Sequence, residues 1–264
     1  QEPLIDFVTP DLIGGQNARH RLFAITAKED IDAIVRMMSD KSCIIADGHH
    51  RYTAGLIYSQ ESANPSARYE MIAFTNTCQQ GLKILATHRL VGNLENFDIE
   101  KLLADLKENF EITEFAFDVA GSKIEAQQKM QFFMQAENDN DRNAFGIYGG
   151  TNGFYVAVLK DKKVMESAMP NASSACRTLD VSILHKLILE KLLGIDKQKL
   201  ANAENIEYVK GTPDALDDSI ALVDAGQKQV LFFMNPVKMQ QLKMVTDAGE
   251  RMPQKSTYFY PKMY

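Results

Sequence analysis

The fold prediction starts from residues 43–52, which read CIIADGHHRY. The first four of these residues are apolar and predict a short buried strand, which the turn signal Asp47-Gly48 ends. Two histidines and an arginine follow, and a helix is predicted from the region of Tyr52 onward. A strand, a glycine turn and a helix start together indicate an anion site, because the first N–H groups of a helix lack backbone partners and carry partial positive charge.

The polar side chains of this turn are candidates for phosphate chemistry. Gly48 lets a ligand approach the backbone, and Arg51 offers a planar fork that suits phosphate or carboxylate. Asp47 is a candidate Mg²⁺ ligand or proton acceptor, and His49 or His50 is a candidate acid, base or charged clamp. The alternative interpretation is structural: Asp47 caps the helix, and the histidines are buried and hydrogen-bonded to the backbone.

The composition limits the class of protein. The chain has 264 residues, of which 45% are hydrophobic and 24% charged, and its net charge is −6. These values are typical of a globular protein with a sizeable core, and the acidic balance argues against nucleic-acid and membrane-surface binding. The three cysteines form no CxxC pair, which predicts a reducing, cytoplasmic setting without a disulfide framework. No apolar run approaches the ~20 residues of a membrane span, and the composition leaves the oligomeric state open.

Apolar periodicity, caps and turn residues predict a mixed α/β fold. The chain is expected to begin with a parallel strand–helix–strand unit, made of a strand at 22–25, a helix introduced by a capping box at 26–29, and the strand at 43–46. Further strands are predicted at 68–75, 82–86, 111–117, 144–148, 154–159, 206–209 and 230–234. Further helices are predicted after Asp98 and at 122–137, 179–193, 213–225 and 237–248, and a loop at 165–177.

Two more polar clusters are candidate anion-binding groups. His88 and Arg89 follow an apolar run, and the tripeptide Lys255-Ser256-Thr257 near the carboxyl end could donate hydrogen bonds to a phosphate. No glycine-rich loop precedes this tripeptide, so it is not a P-loop. The alternatives are a solvated strand end for the first cluster and a tail docked by its aromatic residues for the second.

Three segments carry a family resemblance: IADGHHRY at 45–52, LATHR at 85–89 and MPQKSTYFYPK at 252–262. They resemble the bacterial and archaeal domain-of-unknown-function family 1015, and the match spans nearly the whole chain. The family usually has proline where Ala86 stands. Its amino-terminal Pro-Tyr-Asp-Val element has no counterpart here, so the resemblance implies a chain that is shorter at its amino end.

The DGHHR motif is also similar to the phosphate-handling motif of the ParB/sulfiredoxin superfamily, most closely to that of its free-serine kinases. This resemblance implies a ParB/sulfiredoxin-like sheet with helices around the turn in residues 1–95, followed by a second α+β region over 96–264. The two regions are expected either to be separate domains or to pack as one unit.

The same resemblance implies a phosphotransferase that uses Mg²⁺ and a nucleoside di- or triphosphate. Gly48 and Arg51 would hold the phosphates, Asp47 would bind the metal or orient the acceptor, and His49 or His50 would stabilise the transferring group. The expected substrate is serine or another small hydroxyl compound. The alternative is a non-catalytic nucleotide- or anion-binding module, because the catalytic carboxylate of the superfamily has no assigned position in this sequence.

Overall fold

The structure, a computed structural model, describes residues 2–10, 17–78, 81–202 and 204–261. The chain divides into two compact units, Gln1–Thr75 and Asn76–Tyr264. The sequence-based domain boundary between residues 95 and 96 stays a prediction. Both units contain helices and strands, so the predicted mixed α/β class is confirmed.

The first unit contains a hairpin and two helices. β1 (Ile5–Thr9) pairs antiparallel with β2 (Ala18–Leu22), α1 spans Lys28–Met38 and α2 spans His49–Glu61. A single 3₁₀ turn, Pro65–Arg68, follows α2. None of the described residues of this unit is fully buried, so the core of the protein lies in the second unit.

Several sequence predictions for the first unit are wrong. Residues 43–46 form no strand, and Ile44 and Ile45 are 39% and 40% exposed. Residues 68–75 form no strand either, and α1 begins after Ala27 without a side-chain cap. The only strand pairing among the described residues of this unit is the β1–β2 hairpin, so the parallel strand–helix–strand unit is absent there. Apolar runs form strands only where a partner strand and a packed face are available.

The second unit is built on a six-stranded antiparallel sheet with the order β5-β7-β6-β9-β4-β8. Its strands are β4 (Thr87–Val91), β5 (Phe110–Ala116), β6 (Ala144–Tyr148), β7 (Gly153–Leu159), β8 (Ile206–Lys210) and β9 (Val230–Phe233). A separate two-stranded ribbon pairs β3 (Lys83–Leu85) with β10 (Tyr258–Tyr260), which joins the carboxyl-terminal tail to the segment that leads into β4.

The helices of the second unit are short apart from α4. They are α3 (Ile99–Leu106), α4 (Ala120–Asp139), α5 (Val164–Ala168), α6 (Ser174–Arg177), α7 (Asp180–Ile183), α8 (Lys197–Asn202), α9 (Pro213–Asp224) and α10 (Met239–Asp247). A π-helical stretch, Leu184–Glu190, continues α7. In the described part of the chain, no helix combines the length and the apolar character that crossing a membrane requires.

Two apolar cores lie on the two faces of the sheet. One contains residues of α3, of the π-helical stretch and Val91 of β4, and the other contains residues of α4, of α9 and Leu90 of β4. Consecutive residues of a strand point to opposite faces, so β4 contributes alternately to both cores.

Local signals predicted most elements of the second unit correctly. The hairpin of β6 and β7 is antiparallel, as expected from the glycine-rich turn between them. Asp98 caps α3 by accepting the N–H groups of Glu100 at 2.8 Å and Lys101 at 3.3 Å. Gly226 and Gly249 follow α9 and α10 with φ of +68° and +74°, the left-handed conformation that ends a helix without strain. Two predictions differ from the structure: α5 and α6 occupy the expected loop at 165–177, and the expected helix at 179–193 is largely π-helical.

Candidate anion-binding sites

The DGHHR motif forms a left-handed turn that leads into α2. Gly48 has a φ of +89°, which glycine adopts freely, and its carbonyl accepts the N–H of Tyr52 at 2.9 Å to begin the helix. The N–H of Gly48 donates to Asp47 Oδ1 at 2.8 Å and fixes that carboxylate beside the turn. The glycine at the N-cap has no side-chain oxygen to accept first-turn N–H groups, so these groups can donate to a bound anion.

The guanidinium of Arg51 folds back over this turn. A Cβ placed on Gly48 would lie 2.9 Å from Nη2 and 3.2 Å from Nε of Arg51, so only glycine leaves that space to the guanidinium. The side chains of Asp47, His49, His50 and Arg51 are exposed. The structural alternative, in which the two histidines are buried, is therefore wrong. The turn combines helix N–H groups, a cation and a carboxylate at one accessible place.

The residues of the turn fit Mg²⁺ only in one of its binding modes. Among the residues that the structure describes, no group of three or more histidine, cysteine, aspartate or glutamate side chains is arranged to hold a metal ion. Mg²⁺ is, however, often held by one or two carboxylates together with waters and substrate phosphates. Asp47 supplies a carboxylate of the kind that this mode uses, at the accessible turn before α2. Its role as a metal ligand stays a prediction.

The second predicted cluster lies inside a strand and is split between two faces of the sheet. His88 and Arg89 belong to β4 and are 5% and 1% exposed, so the alternative of a solvated strand end is wrong. The His88 ring lies 5.8 Å from the Phe233 ring, on the face of Leu90, whereas Arg89 lies on the face of Val91. The two side chains cannot clamp one anion between them, and the binding role of each stays a prediction.

Arg89 is a buried cation held by carbonyl groups and an aromatic ring. Its Nη1 donates to the carbonyl of Thr87 and its Nη2 to the carbonyl of Lys255 at 3.1 Å, while Cζ lies 4.9 Å from the centre of the Tyr208 ring. Its Nε has no hydrogen-bond partner among the described residues. Burial lowers the pKa of Arg89 to about 10, so the guanidinium stays charged at neutral pH. This arrangement braces the tail against the sheet.

His88 is a neutral hydrogen-bonding group at physiological pH. Its Nδ1 accepts the N–H of Met234 at 2.9 Å, which places the ring proton on Nε2. Burial, with a smaller contribution from the charge of Arg89, lowers the pKa of His88 to about 4. A neutral imidazole offers one N–H to a ligand but no charge to offset a phosphate.

The carboxyl-terminal motif is docked on the second unit. Lys255 has a φ of +55° and an exposed side chain, and its carbonyl rather than its amine faces Arg89. The hydroxyl of Ser256 is buried and donates to the carbonyl of Pro253 at 2.5 Å, and Thr257 is half-buried just before β10. The second and third sequence motifs therefore meet in space. Phosphate binding by Lys255, Ser256 and Thr257 stays a prediction.

The surroundings of Arg89 could not be predicted from the residues next to it in the chain. Tyr208 and the Lys255 carbonyl come from distant parts of the chain, and His185 on the π-helical stretch has a buried Nε2 without a partner among the described residues. Burial, followed by the charge of Arg89, lowers the pKa of His185 to about 3. The one available signal was an arginine followed by two apolar residues, Leu90 and Val91, which is consistent with a buried strand.

The sequence profile of the family described as "Protein of unknown function (DUF1015)" matches residues 1–182. The match covers more than half of the chain, and the chain therefore belongs to the DUF1015 family, as the three motifs predicted. The comparison with curated proteins yields no match.

Similar solved structures include a conserved hypothetical protein from Pyrococcus furiosus, at 14% identity and a TM-score of 0.39, covering 89% of this chain and 84% of that chain. A free serine kinase in complex with AMP has 14% identity and a TM-score of 0.38, with 89% and 81% covered. A variant of a free serine kinase in complex with ADP has 13% identity and a TM-score of 0.39, with 89% and 82% covered. Likeness at this level assigns no activity to the chain.

Proposed function

We propose that the DGHHR turn binds the phosphates of a nucleoside di- or triphosphate, and that the protein is a small-molecule phosphotransferase of the free-serine-kinase type. The observation that carries the proposal is the start of α2, where a left-handed Gly48 leaves the helix without a side-chain cap and the Arg51 guanidinium lies over the turn. Backbone N–H groups at a helix start and an arginine fork both favour a bound phosphate.

The side chains of the turn suit phosphoryl transfer, which depends mainly on positioning and on stabilising negative charge. Arg51 would hold phosphate oxygens in two parallel hydrogen bonds, and His49 or His50 would donate to the transferring group. Asp47 would orient the acceptor hydroxyl or hold Mg²⁺, which when bound supplies positive charge beside the phosphates. The proposed acceptor is serine or another small hydroxyl compound.

Calorimetry and a transfer assay test this proposal together. ADP and ATP, titrated with Mg²⁺ present, are expected to bind in a saturable manner, whereas adenosine is expected to bind much more weakly because it lacks the phosphates. Incubation with serine and either nucleotide should yield phosphoserine, detected by ³¹P NMR. If neither nucleotide binds, both the binding site and the activity are refuted.

The variant Arg51→Ala is expected to weaken nucleotide binding by roughly 10- to 150-fold, the equivalent of about 1.5–3 kcal/mol for a hydrogen bond to a charged group. Isothermal titration calorimetry with ADP measures the effect. Arg36→Ala removes the same charge from the exposed last turn of α1 and serves as the matched control. Equal losses in the two variants would show that net charge, and not the turn, accounts for binding.

Variants of Gly48 separate backbone strain from displacement of the guanidinium. Gly48→Ala places a Cβ against Arg51 and puts alanine in a left-handed conformation, which costs roughly 1–2 kcal/mol. Gly48→Asn also places a Cβ against the Arg51 guanidinium, but asparagine adopts the left-handed conformation at a lower cost than alanine. We expect the alanine variant to bind ADP roughly 5- to 30-fold more weakly and the asparagine variant to lose less. Wild-type affinity in both variants would contradict the proposed role of the turn.

A non-catalytic nucleotide-binding module is the second candidate. The observation that favours it is the hydrogen bond from the Gly48 N–H to Asp47, a contact that such residues commonly make for purely structural reasons in turns. In that case nucleotide would bind at the turn and be recovered unchanged after incubation with serine and other hydroxyl compounds. Formation of any phosphorylated product above the level of an Arg51→Ala sample would exclude this candidate.

A further inference from the structure

A cavity of about 260 Å³ lies within the second unit and is lined without a single charged side chain. Its apolar walls include Met134 of α4, Leu216 of α9 and Phe233 of β9. Two polar residues of the lining, His88 and Asn235, are themselves more than nine-tenths buried. All of the lining residues belong to the second unit, and the inference does not rest on the proposed function.

His88 presents one hydrogen-bond donor to the cavity. Its Nδ1 is occupied by the N–H of Met234 at 2.9 Å, so Nε2 carries the proton. Nε2 has no hydrogen-bond partner among the described residues, and the atom itself is not sealed from solvent although the residue is only 5% exposed. Nε2 is therefore accessible from the cavity and can donate to the acceptor of a ligand.

Asn235 presents one acceptor to the same cavity. Its Nδ2 donates to the carbonyls of Met134 at 3.3 Å and Ala144 at 3.4 Å, which fixes the orientation of the amide. Its Oδ1 has no partner among the described residues and is likewise not sealed from solvent, although the residue is only 8% exposed. The cavity therefore combines a fixed donor, a fixed acceptor and apolar walls.

We propose that this cavity binds an uncharged planar ring that carries a hydrogen-bond acceptor beside a donor. His88 Nε2–H donates to the acceptor of the ligand, Asn235 Oδ1 accepts from its donor, and Leu216 and Phe233 contact the faces of the ring. Nicotinamide and the nucleobases share this chemistry. Small-molecule sites commonly pair apolar walls with a few placed polar groups in this way.

The lining excludes a charged ligand. An ion would give up part of its hydration on binding and meet no opposite charge, since none of the lining residues is ionisable apart from the neutral His88. Burial holds the pKa of His88 at about 4, so its ring does not supply a positive charge at neutral pH. A carboxylate in place of a carboxamide is therefore expected to bind far more weakly.

Methionine methyl NMR on the whole chain tests the proposal, because Met134 lines the cavity while Met165 belongs to the core on the other face of the sheet. Nicotinamide and adenine are added separately, up to tens of millimolar. At least one of them should shift the Met134 signal in a saturable manner and leave Met165 unchanged. The probe that binds identifies the ligand source as a carboxamide or a nucleobase. Nicotinate has a charged carboxylate where nicotinamide has a carboxamide. If nicotinamide binds, nicotinate should bind at least tenfold more weakly.

The variant Leu216→Trp should fill the cavity and abolish these shifts, whereas Ala221→Trp, on an exposed position of the same helix, should preserve them. If Leu216→Trp does not fold, Gln131→Glu places a charge on the cavity lining and should weaken binding at least threefold. The proposal is overturned if neither neutral probe shifts the Met134 signal, if nicotinate binds as well as nicotinamide, or if a folded Leu216→Trp binds like the wild type.

Discussion

Replacement of Arg89 by alanine is expected to lower the free energy of unfolding of the second unit by about 3 kcal/mol. The variant leaves a cavity in the core, which costs roughly 2–5 kcal/mol for large-to-small changes. It also removes charged donors from the carbonyls of Thr87 and Lys255, at roughly 1–3 kcal/mol where such a group is left buried without a partner. Removal of a buried charge offsets part of this loss. Guanidinium denaturation followed by circular dichroism measures the difference.

Three further measurements make this expectation specific to the contacts of Arg89 with the tail. Arg89→Met keeps the volume but not the hydrogen bonds and should cost less than the alanine variant. Arg251→Ala, at an exposed arginine of the tail, should change stability by no more than about 0.5 kcal/mol. Hydrogen exchange in β10 should accelerate in Arg89→Ala, because the Lys255 carbonyl that Arg89 holds lies just before that strand. A loss below about 1 kcal/mol with unchanged exchange would show that the tail docks without Arg89.

Stability is expected to fall by a net of about 3–4 kcal/mol between pH 7 and pH 4, because the titration of two buried histidines outweighs that of one buried carboxyl. In the unfolded chain each ring takes up a proton near pH 6.5, but burial lowers the pKa of His88 to about 4 and that of His185 to about 3. Between these values the unfolded state binds more protons, so acid favours unfolding. Each histidine contributes about 3 kcal/mol over this interval.

Asp180 opposes part of this loss. Burial, against the hydrogen bond from Asn143, raises its pKa from 3.8 to about 6. The unfolded carboxyl therefore loses its proton before the folded one as pH rises. Ionisation of Asp180 destabilises the fold as pH rises through about 6, and acidification from pH 7 to pH 4 restores about 2 kcal/mol. The two histidines together exceed this contribution, so the net effect of acid is destabilising.

Guanidinium titrations at pH 7, 5.5 and 4 test the histidine effect. His185→Gln removes one titrating ring and should reduce the loss of stability between pH 7 and pH 4 by about 3 kcal/mol. His50→Gln, on the exposed surface of α2, is the control. An unchanged pH dependence in His185→Gln would mean that the ring takes up its proton in the folded state without cost.

Features decided within one helical turn could be predicted from the sequence. Asp98 caps α3, and Gly226 and Gly249 end α9 and α10 in the left-handed conformation, because these preferences depend on a few neighbouring residues. The DGHHR turn was predicted for the same reason. Gly48 is left-handed and α2 begins directly after it, although its side-chain roles stay predictions.

Features that depend on distant partners could not be predicted. Ile44 and Ile45 have strand-like side chains, but no described strand pairs with them, so local composition alone was misleading. The sequence favours His88 and Arg89 as neighbours around one anion. Because consecutive residues of a strand point to opposite faces of the sheet, their side chains lie in different cores. The partners that define them, Met234 and Lys255, lie far along the chain.

The position of β4 in the sheet also has a consequence for biosynthesis. Its residues pair with β8 and β9, so that Val91 is matched to Ile206 on one side and Val230 on the other. A ribosome that adds about 5–20 residues per second needs several seconds to deliver those partners. During that interval both edges of the nascent β4 lack their partner strands. Such long-range pairings close slowly, and unpaired edges are sites where chaperones bind.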